Sequence, residues 1–315
     1  MASPRRSVAY VAVAGVAVLV AAALTAFLGL RGNDGNPPRT AGAGVSAAGQ
    51  AADADQSTRG ARPGTGALAA HADPLPAAAA YLAGRHGTVT AAVYDVRTGQ
   101  TWRLGAGRAQ PEASIVKLDI LETLLARPQG AALSADDQAL ARSMIVDSDN
   151  DAATSLWDEV GGAAGLTYYG DRAGLTGTTP SQCVTCAGFA FPGWGLSTTV
   201  PEDQLTLLKQ LVVPGPSPLL AKSARSYALS LMEHVSADQR WGISGGVPAG
   251  ATVALKDGWL PLDAAATNWQ VNSVGWVSGD GRDYLIAVLS TGNPTEQYGI
   301  DTISGLSSLV WTAMR

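Results

Sequence analysis

Apolar and polar positions follow three different rhythms along this chain. From Val8 to Leu30 the run is uncharged and unbroken behind Arg5 and Arg6. As a helix rising about 1.5 Å per residue it would span about 35 Å, enough to cross a hydrocarbon core of about 30 Å. From Arg31 to about Asp73 large apolar residues almost vanish in favour of Gly, Ala, Pro, Asp, Gln and Ser. Such a segment cannot bury enough surface to offset the entropy of ordering it. Structured periods begin after it. Pro74–His86 reads as an Ala-rich helix, Thr88–Asp95 as a strand, and Gln100–Leu104 as its hairpin partner across Arg97-Thr98-Gly99. Ile115, Leu118, Leu121, Leu124 and Leu125 recur at helical spacing. Ser134 caps a helix expected to run through Val146, and another follows from Asp151 to Val160. Two further helices are expected after Pro201 and Pro218. Thr252–Leu255, Trp269–Val277 and Tyr284–Ser290 are β-branched or aromatic runs between turns, and a last helix is placed near Ile300–Met314. This order predicts one antiparallel sheet sandwiched with helices.

Three regions follow: an anchor or signal at 1–30, a linker at 31–74, and a folded domain at 75–315. The basic pair should stay in the cytoplasm and the remainder be exported. An uncut single-pass anchor and a cleaved signal are both open, the second giving a secreted protein. No cysteine closely follows the apolar run, so a lipid anchor there is not expected.

Charged residues make up 15% and hydrophobic ones 46%, which suits a large buried core, and the net charge of −5 argues against a nucleic-acid partner. Two cysteines and three histidines form no zinc motif, and no metal or organic cofactor is expected. His234 reads as structural. Only four lysines occur: Lys117, Lys209, Lys222 and Lys256.

Two of those lysines fall in short motifs. Ser114-Ile115-Val116-Lys117 places a hydroxyl and an amine on one side of a helix, where a desolvated lysine can take the hydroxyl proton. Ser148-Asp149-Asn150 sits at a break between two expected helices and offers a hydroxyl relay and a substrate-binding amide. Lys256-Asp257-Gly258 ends an expected strand, where Gly permits close backbone approach and Lys supplies positive charge. Each alone has an ordinary reading as a helix cap or polar turn. Their order is more telling than any one of them.

In that order the domain resembles the serine β-lactamase and penicillin-binding protein superfamily, closest to class A β-lactamases, whose signature is S-x-x-K, S-D-N and K-T-G. The stretch from Met144 to Leu156, followed by Gly161-Gly162, is similar to the family's S-D-N region. Ser197–Pro201 is similar to its turn into the next helix. The resemblance covers about 75–315. It implies an α+β fold (three-layer α/β/α): a five-stranded antiparallel sheet flanked by helices, plus a helical lobe, with the site between lobe and sheet. It further implies an acyl-enzyme mechanism. Ser114 is the nucleophile, Lys117 the base, and Ser148 with Lys256 the proton relay. Asn150, Asp257, Gly258 and Trp259 contact substrate, and the backbone N–H of Trp259 stands at the oxyanion position with that of Ser114.

The chain also departs from the pattern. Leu175–Trp194 contains no Asp or Glu, so the carboxylate that activates the deacylating water in class A enzymes is missing. Glu202 and Asp203 come later and are expected at a helix N-terminus. Asp257 replaces the usual Thr or Ser and is expected to repel a substrate carboxylate. Cys183 and Cys186 lie in the same loop and are expected to pair as a disulfide in an exported domain. Trp194 adjoins the expected cleft. These features point to a membrane-tethered exported serine hydrolase acting on a β-lactam, cell-wall peptide, ester or amide, with slow β-lactam turnover. The alternative is a non-catalytic envelope-binding domain retaining the fold.

Overall fold

The computed structural model describes residues 75–127, 133–186 and 189–315; the apolar run and the linker lie outside them. Helix α1 (Pro76–Ala83) precedes strands β1 (Thr88–Asp95), β2 (Thr101–Leu104) and β3 (Gln110–Pro111). Five helices follow, α2 (Val116–Leu125), α3 (Ala135–Val146), α4 (Asn150–Glu159), α5 (Gly162–Ala173) and α6 (Pro201–Val212), with strand β4 (Thr198–Thr199) before the last. Helix α7 (Lys222–Glu233), strands β5 (Thr252–Pro261), β6 (Trp269–Gly279) and β7 (Arg282–Asn293), and helix α8 (Glu296–Ala313) complete the unit.

The sheet has five strands in the order β2-β1-β7-β6-β5, and its pairs are antiparallel. Its two faces feed two separate cores, because successive side chains on a strand point to opposite sides. Ala92, Ala254, Val274 and Ala287 face the helical lobe. Val93, Val253, Leu255 and Val288 face the layer containing α1 and α8. The architecture is α+β, with β5 at the sheet edge beside the helical lobe.

Local signals account for many boundaries. Ser134 Oγ accepts from the Asp137 amide, and Asp149 Oδ1 accepts from the Ala152 amide, capping α3 and α4. Pro201 opens α6, where its missing N–H costs nothing. The expected strands beginning at Thr252, Trp269 and near Tyr284 all extend further than their apolar runs, since polar residues continue the pairing. Helix α5 has no counterpart among the expected elements. Its sequence carries Gly162, Gly165 and Gly170, and glycine is a poor helix former.

Helix α2 is enclosed on every side, with each residue from Val116 to Leu124 buried. It therefore buries Lys117, Asp119 and Glu122 along with its leucines. Glu122 accepts from the Tyr169 hydroxyl at 2.7 Å. Asp119 faces Glu112, which is buried as well. Two neighbouring carboxylates cannot both ionise away from water, so the pair must hold a proton. Burial leaves Asp119 raised to about 7.

This cluster sets a pH dependence. The folded state holds a proton that the unfolded chain releases, so stability should fall as pH rises from about 4 to about 7. Asp119→Asn mimics the protonated partner and can donate to Glu112. It should raise Tm by roughly 3–6 °C at alkaline pH, a gain that shrinks toward zero in acid. Thermal melts across pH check this; a gain independent of pH would contradict it.

Candidate active site

Ser114 sits on a short 3₁₀ turn, Ala113–Ile115, that runs directly into α2. The turn is clamped from the sheet. Asn272 on β6 donates through Nδ2 to the carbonyls of Pro111 and Glu112, at 2.9 and 2.8 Å. Gly258 on β5 lies so close that a Cβ there would meet the Ser114 and Ile115 nitrogens at 2.7 Å. Ala113 has φ of 50° and Ser148 of 55°, in the left-handed region that non-glycine residues seldom occupy. Such strain persists only where the surroundings over-determine the backbone. Here it falls on the residue preceding Ser114 and on Ser148 itself.

Lys117 projects from the first turn of α2 toward four oxygens. Its Nζ lies 3.0 Å from Ser114 Oγ, 3.0 Å from Ser148 Oγ, 2.6 Å from the Ser148 carbonyl and 2.8 Å from Asn150 Oδ1. An ammonium has three protons for these four sites, whereas a neutral amine has two and a lone pair. In the neutral state a serine hydroxyl can donate into that lone pair. Burial, reinforced by the charge of Lys256, lowers Lys117 to about 6; Asp149 opposes the shift. Lys256 Nζ approaches Ser148 Oγ from the sheet side at 3.0 Å and donates to the Asp257 carbonyl at 2.9 Å. Its own burial lowers it to about 8, with Asp257 opposing. Ser148 Oγ thus stands between two amines from opposite lobes. The arrangement can move a proton from Ser114 through Lys117 and Ser148.

Asp257 does not face this set. Strand alternation puts Lys256 on the lobe side with Ala254, and Asp257 on the opposite side with Leu255. There its carboxylate is fully buried, accepting from Ser273 Oγ at 2.5 Å and from the Trp241 amide at 3.1 Å. Burial raises it to about 7, against those hydrogen bonds and Lys256. Asp257 therefore projects no charge into the cleft, and the repulsion of a bound carboxylate expected from it has no geometric basis.

A cleft of about 160 Å³ opens above Ser114. Ser148, Asn150 and Trp259 line it, and so do Trp194 and Phe191. Asp147 and Gln239 also reach it, although no motif includes them. The only sequence signal for Asp147 is its place immediately before Ser148. Gln239 lies on a 3₁₀ turn brought in by tertiary packing, and no local signal marks it. The wall carrying Phe191 and Trp194 belongs to a loop closed by the Cys183–Cys186 disulfide. Trp194 Nε1 donates to Thr154, and its ring lies 5.1 Å from Lys117 Nζ.

Glu202 and Asp203 occupy the first turn of α6, as expected. The Asp203 carboxylate also accepts from the Thr176 and Gly177 amides and the Thr178 hydroxyl, tying down the start of the same loop. Glu202 pairs with Arg103. Neither lines the cleft. His234 ends α7, exposed, with Nδ1 at 2.7 Å from the Ser230 carbonyl.

Residues 126–314 match the profile of the Beta-lactamase enzyme family, a span that begins after Ser114 and Lys117. The chain is 29% identical over 210 residues to LppW of Mycobacterium tuberculosis and of Mycobacterium bovis, which carries the name of a lipoprotein. That alignment covers 64% of this chain and 63% of the relatives. Among solved structures, an ancestral class A β-lactamase superposes with a TM-score of 0.63 at 21% identity, covering 76% of this chain and all of the other. The TLA-1 extended-spectrum β-lactamase gives 0.64 at 17%, with 76% and 97% covered. The structure of PBP-A gives 0.60 at 21%, with 76% and 95% covered.

The close approach of Gly258 has a measurable consequence. Gly258→Ala should push β5 away from the Ser114 turn, because the atoms it would strike are backbone. We expect a loss of about 1–3 kcal/mol in stability, as for other overpacked sites. Reaction of Ser114 with a fluorophosphonate should slow at least tenfold. Unaltered labelling in the folded variant would show that the contact does not position the serine.

Proposed function

The chain belongs to the Beta-lactamase enzyme family, and on that premise we propose that it is an extracytoplasmic serine hydrolase working through an acyl-enzyme on Ser114. The observation that carries the reading is Lys117 Nζ, 3.0 Å from Ser114 Oγ, where burial lowers its pKa to about 6. Neutral Lys117 accepts the Ser114 proton as Oγ bonds to the substrate carbonyl carbon. The oxyanion is held by the backbone N–H groups of Ser114 and Trp259, a contribution of about 3–4 kcal/mol per donor in comparable sites. The proton then passes through Ser148, steadied by Lys256, to the departing nitrogen or oxygen as its bond to the carbonyl carbon breaks and the carbonyl re-forms. Asn150 orients the substrate, and Gly258 lets it lie against β5. Candidate substrates are a β-lactam, a cell-wall peptide, or an ester or amide.

Hydrolysis of the acyl-enzyme needs a second base. Leu175–Trp194 holds no carboxylate, and general-base help is typically worth about 10²–10⁴-fold. Deacylation is therefore the slow step. The same absence favours the second reading, an envelope-binding domain without turnover; Lys117 and Lys256 around Ser148 weigh against it. We further propose attachment to the cell membrane through the run Val8–Leu30. The lipoprotein name of LppW is consistent with an envelope location. Here, however, the first cysteine is Cys183, so attachment would not use a lipid on a cysteine next to the apolar run.

Intact-mass measurement after incubation with a β-lactam or a serine-directed phosphonate should find one adduct, absent in Ser114→Ala. Adduct formation should slow in Lys117→Ala without loss of folding. The β-lactam adduct should persist, and steady-state cephalosporin hydrolysis on the order of hundreds per second would contradict this. Absence of any adduct would favour the binding-domain reading.

Acylation should also follow a bell in pH. Lys117 becomes a base as pH rises through about 6, and Lys256 loses its charge as pH rises through about 8. Timed phosphonate labelling across pH reads both limbs. A profile still rising past the upper limb would remove Lys256 from the relay.

A further inference from the structure

The charge on the cleft wall is opposite to what an anionic substrate needs. Among the described residues lining it, Asp147 is the only charged side chain. It stands exposed at the end of α3, where the Ser236 hydroxyl donates to it at 2.7 Å, and it belongs to no salt bridge among the described residues. Asp149, next but one along the chain, is exposed as well. The cations nearby are turned away or covered. Lys256 is fully buried behind Ser148 and committed to Ser148 Oγ and the Asp257 carbonyl. Arg240, beside the lining residue Gln239, donates through its guanidinium to the carbonyls of Glu233 and Val253. The rest of the wall is uncharged: Ser114, Ser148, Asn150 and Gln239 form its polar part, and an apolar part lies beside them. Phe191, 42% exposed, forms that apolar part with Trp194, Trp259 and Leu260.

A carboxylate entering this cleft loses water and meets Asp147. An ammonium meets Asp147 as a partner and aromatic faces that attract cations. We infer that the site selects a cationic acyl compound, an amine-bearing ester or amide with an apolar or aromatic body, whose ammonium lies at Asp147 and whose body lies against Phe191, Trp194 and Trp259. This deepens the acyl-transfer reading and rests on it for the reaction; the charge preference of the cleft stands on Asp147 alone. It makes Asp147 a specificity-determining residue.

Two measurements on the full chain separate charge selection from reaction. The first is equilibrium binding of 3-phenylpropylammonium against 3-phenylpropanoate, followed by tryptophan fluorescence, since Trp194 and Trp259 line the cleft. The cation should bind about fivefold tighter at low salt, and the ratio should approach unity as salt screens the charge. Asp147→Asn should bring the ratio near unity at low salt, and Asp147→Glu should restore it. The second is the burst of nitrophenolate, with the matching adduct mass, from two p-nitrophenyl esters of equal length, one ending in an ammonium and one in a carboxylate. The ammonium ester should acylate Ser114 faster by a similar factor, with the advantage lost in Asp147→Asn. Equal or tighter binding of the carboxylate, or binding of neither probe, would overturn the inference. A cation preference in binding with no acylation by either ester would uphold the charge selection and sink the acyl-transfer reading.

Discussion

Two amines are buried on either side of one hydroxyl, and most of the site follows from keeping them there. Lys117 and Lys256 are both fully buried, and each lies 3.0 Å from Ser148 Oγ. Two ammonium groups so placed would repel one another where water cannot screen them. The lobe and the sheet therefore divide the charge: Lys117, buried on α2, gives up its proton more readily, while Lys256 has a carboxylate behind it. Ser148 needs a left-handed backbone to reach between them, and the end of α3 on one side and the Asp149 cap of α4 on the other hold it there. Nothing in this set stabilises the fold as an apolar replacement would. Lobe and sheet tolerate it because their apolar cores are large and separate.

Much of this is legible from residue patterns alone. Thr88–Asp95 is a β-branched and aromatic run bounded by turn residues, and the strand occupies those residues. Ser134 is followed by acidic residues and an apolar period, and it caps α3. The three motifs align with a known signature through their order, so Ser114, Lys117, Ser148 and Lys256 stand out without any geometry. Other features depend on contacts that sequence does not display. Helix α5 is rich in glycine and forms through packing of Leu166 and Tyr169. The side on which Asp257 points depends on strand register, and the apolar run Thr252–Leu255 stops short of it. Gln239 reaches the cleft from a turn with no hydrophobic rhythm.

The loop facing the cleft shows how a segment with little regular structure can be held in place. Asp203 fastens its beginning, the disulfide closes its middle, and Trp194 hydrogen bonds to α4 near its end. A Cβ on Gly193 would strike the Cys183 carbonyl, so the chain folds back tightly on the disulfide turn. The loop thus presents Phe191 and Trp194 from a fastened support, although it lacks the carboxylate found at this place in class A enzymes.

The pairing of β1 has a bearing on how the chain reaches its final form. Along its full length β1 is hydrogen bonded to β7, from Thr88 against Thr291 to Asp95 against Tyr284. Helix α1 packs on α8, with the Arg85 guanidinium over the Tyr298 ring and against Thr302. The beginning of the folded unit is thus completed by its end. Until the final strand and helix have emerged, the first strand has only the four-residue β2 beside it in the sheet, and Leu75 and Val93 lack their cover. Contacts so distant in sequence slow folding, and they leave a chain that is still being synthesised without its β1–β7 strand pair. A chain that emerges N-terminus first could not complete its sheet part-way through. It would stay unfolded and open to proteases or holding chaperones until β7 and α8 had emerged.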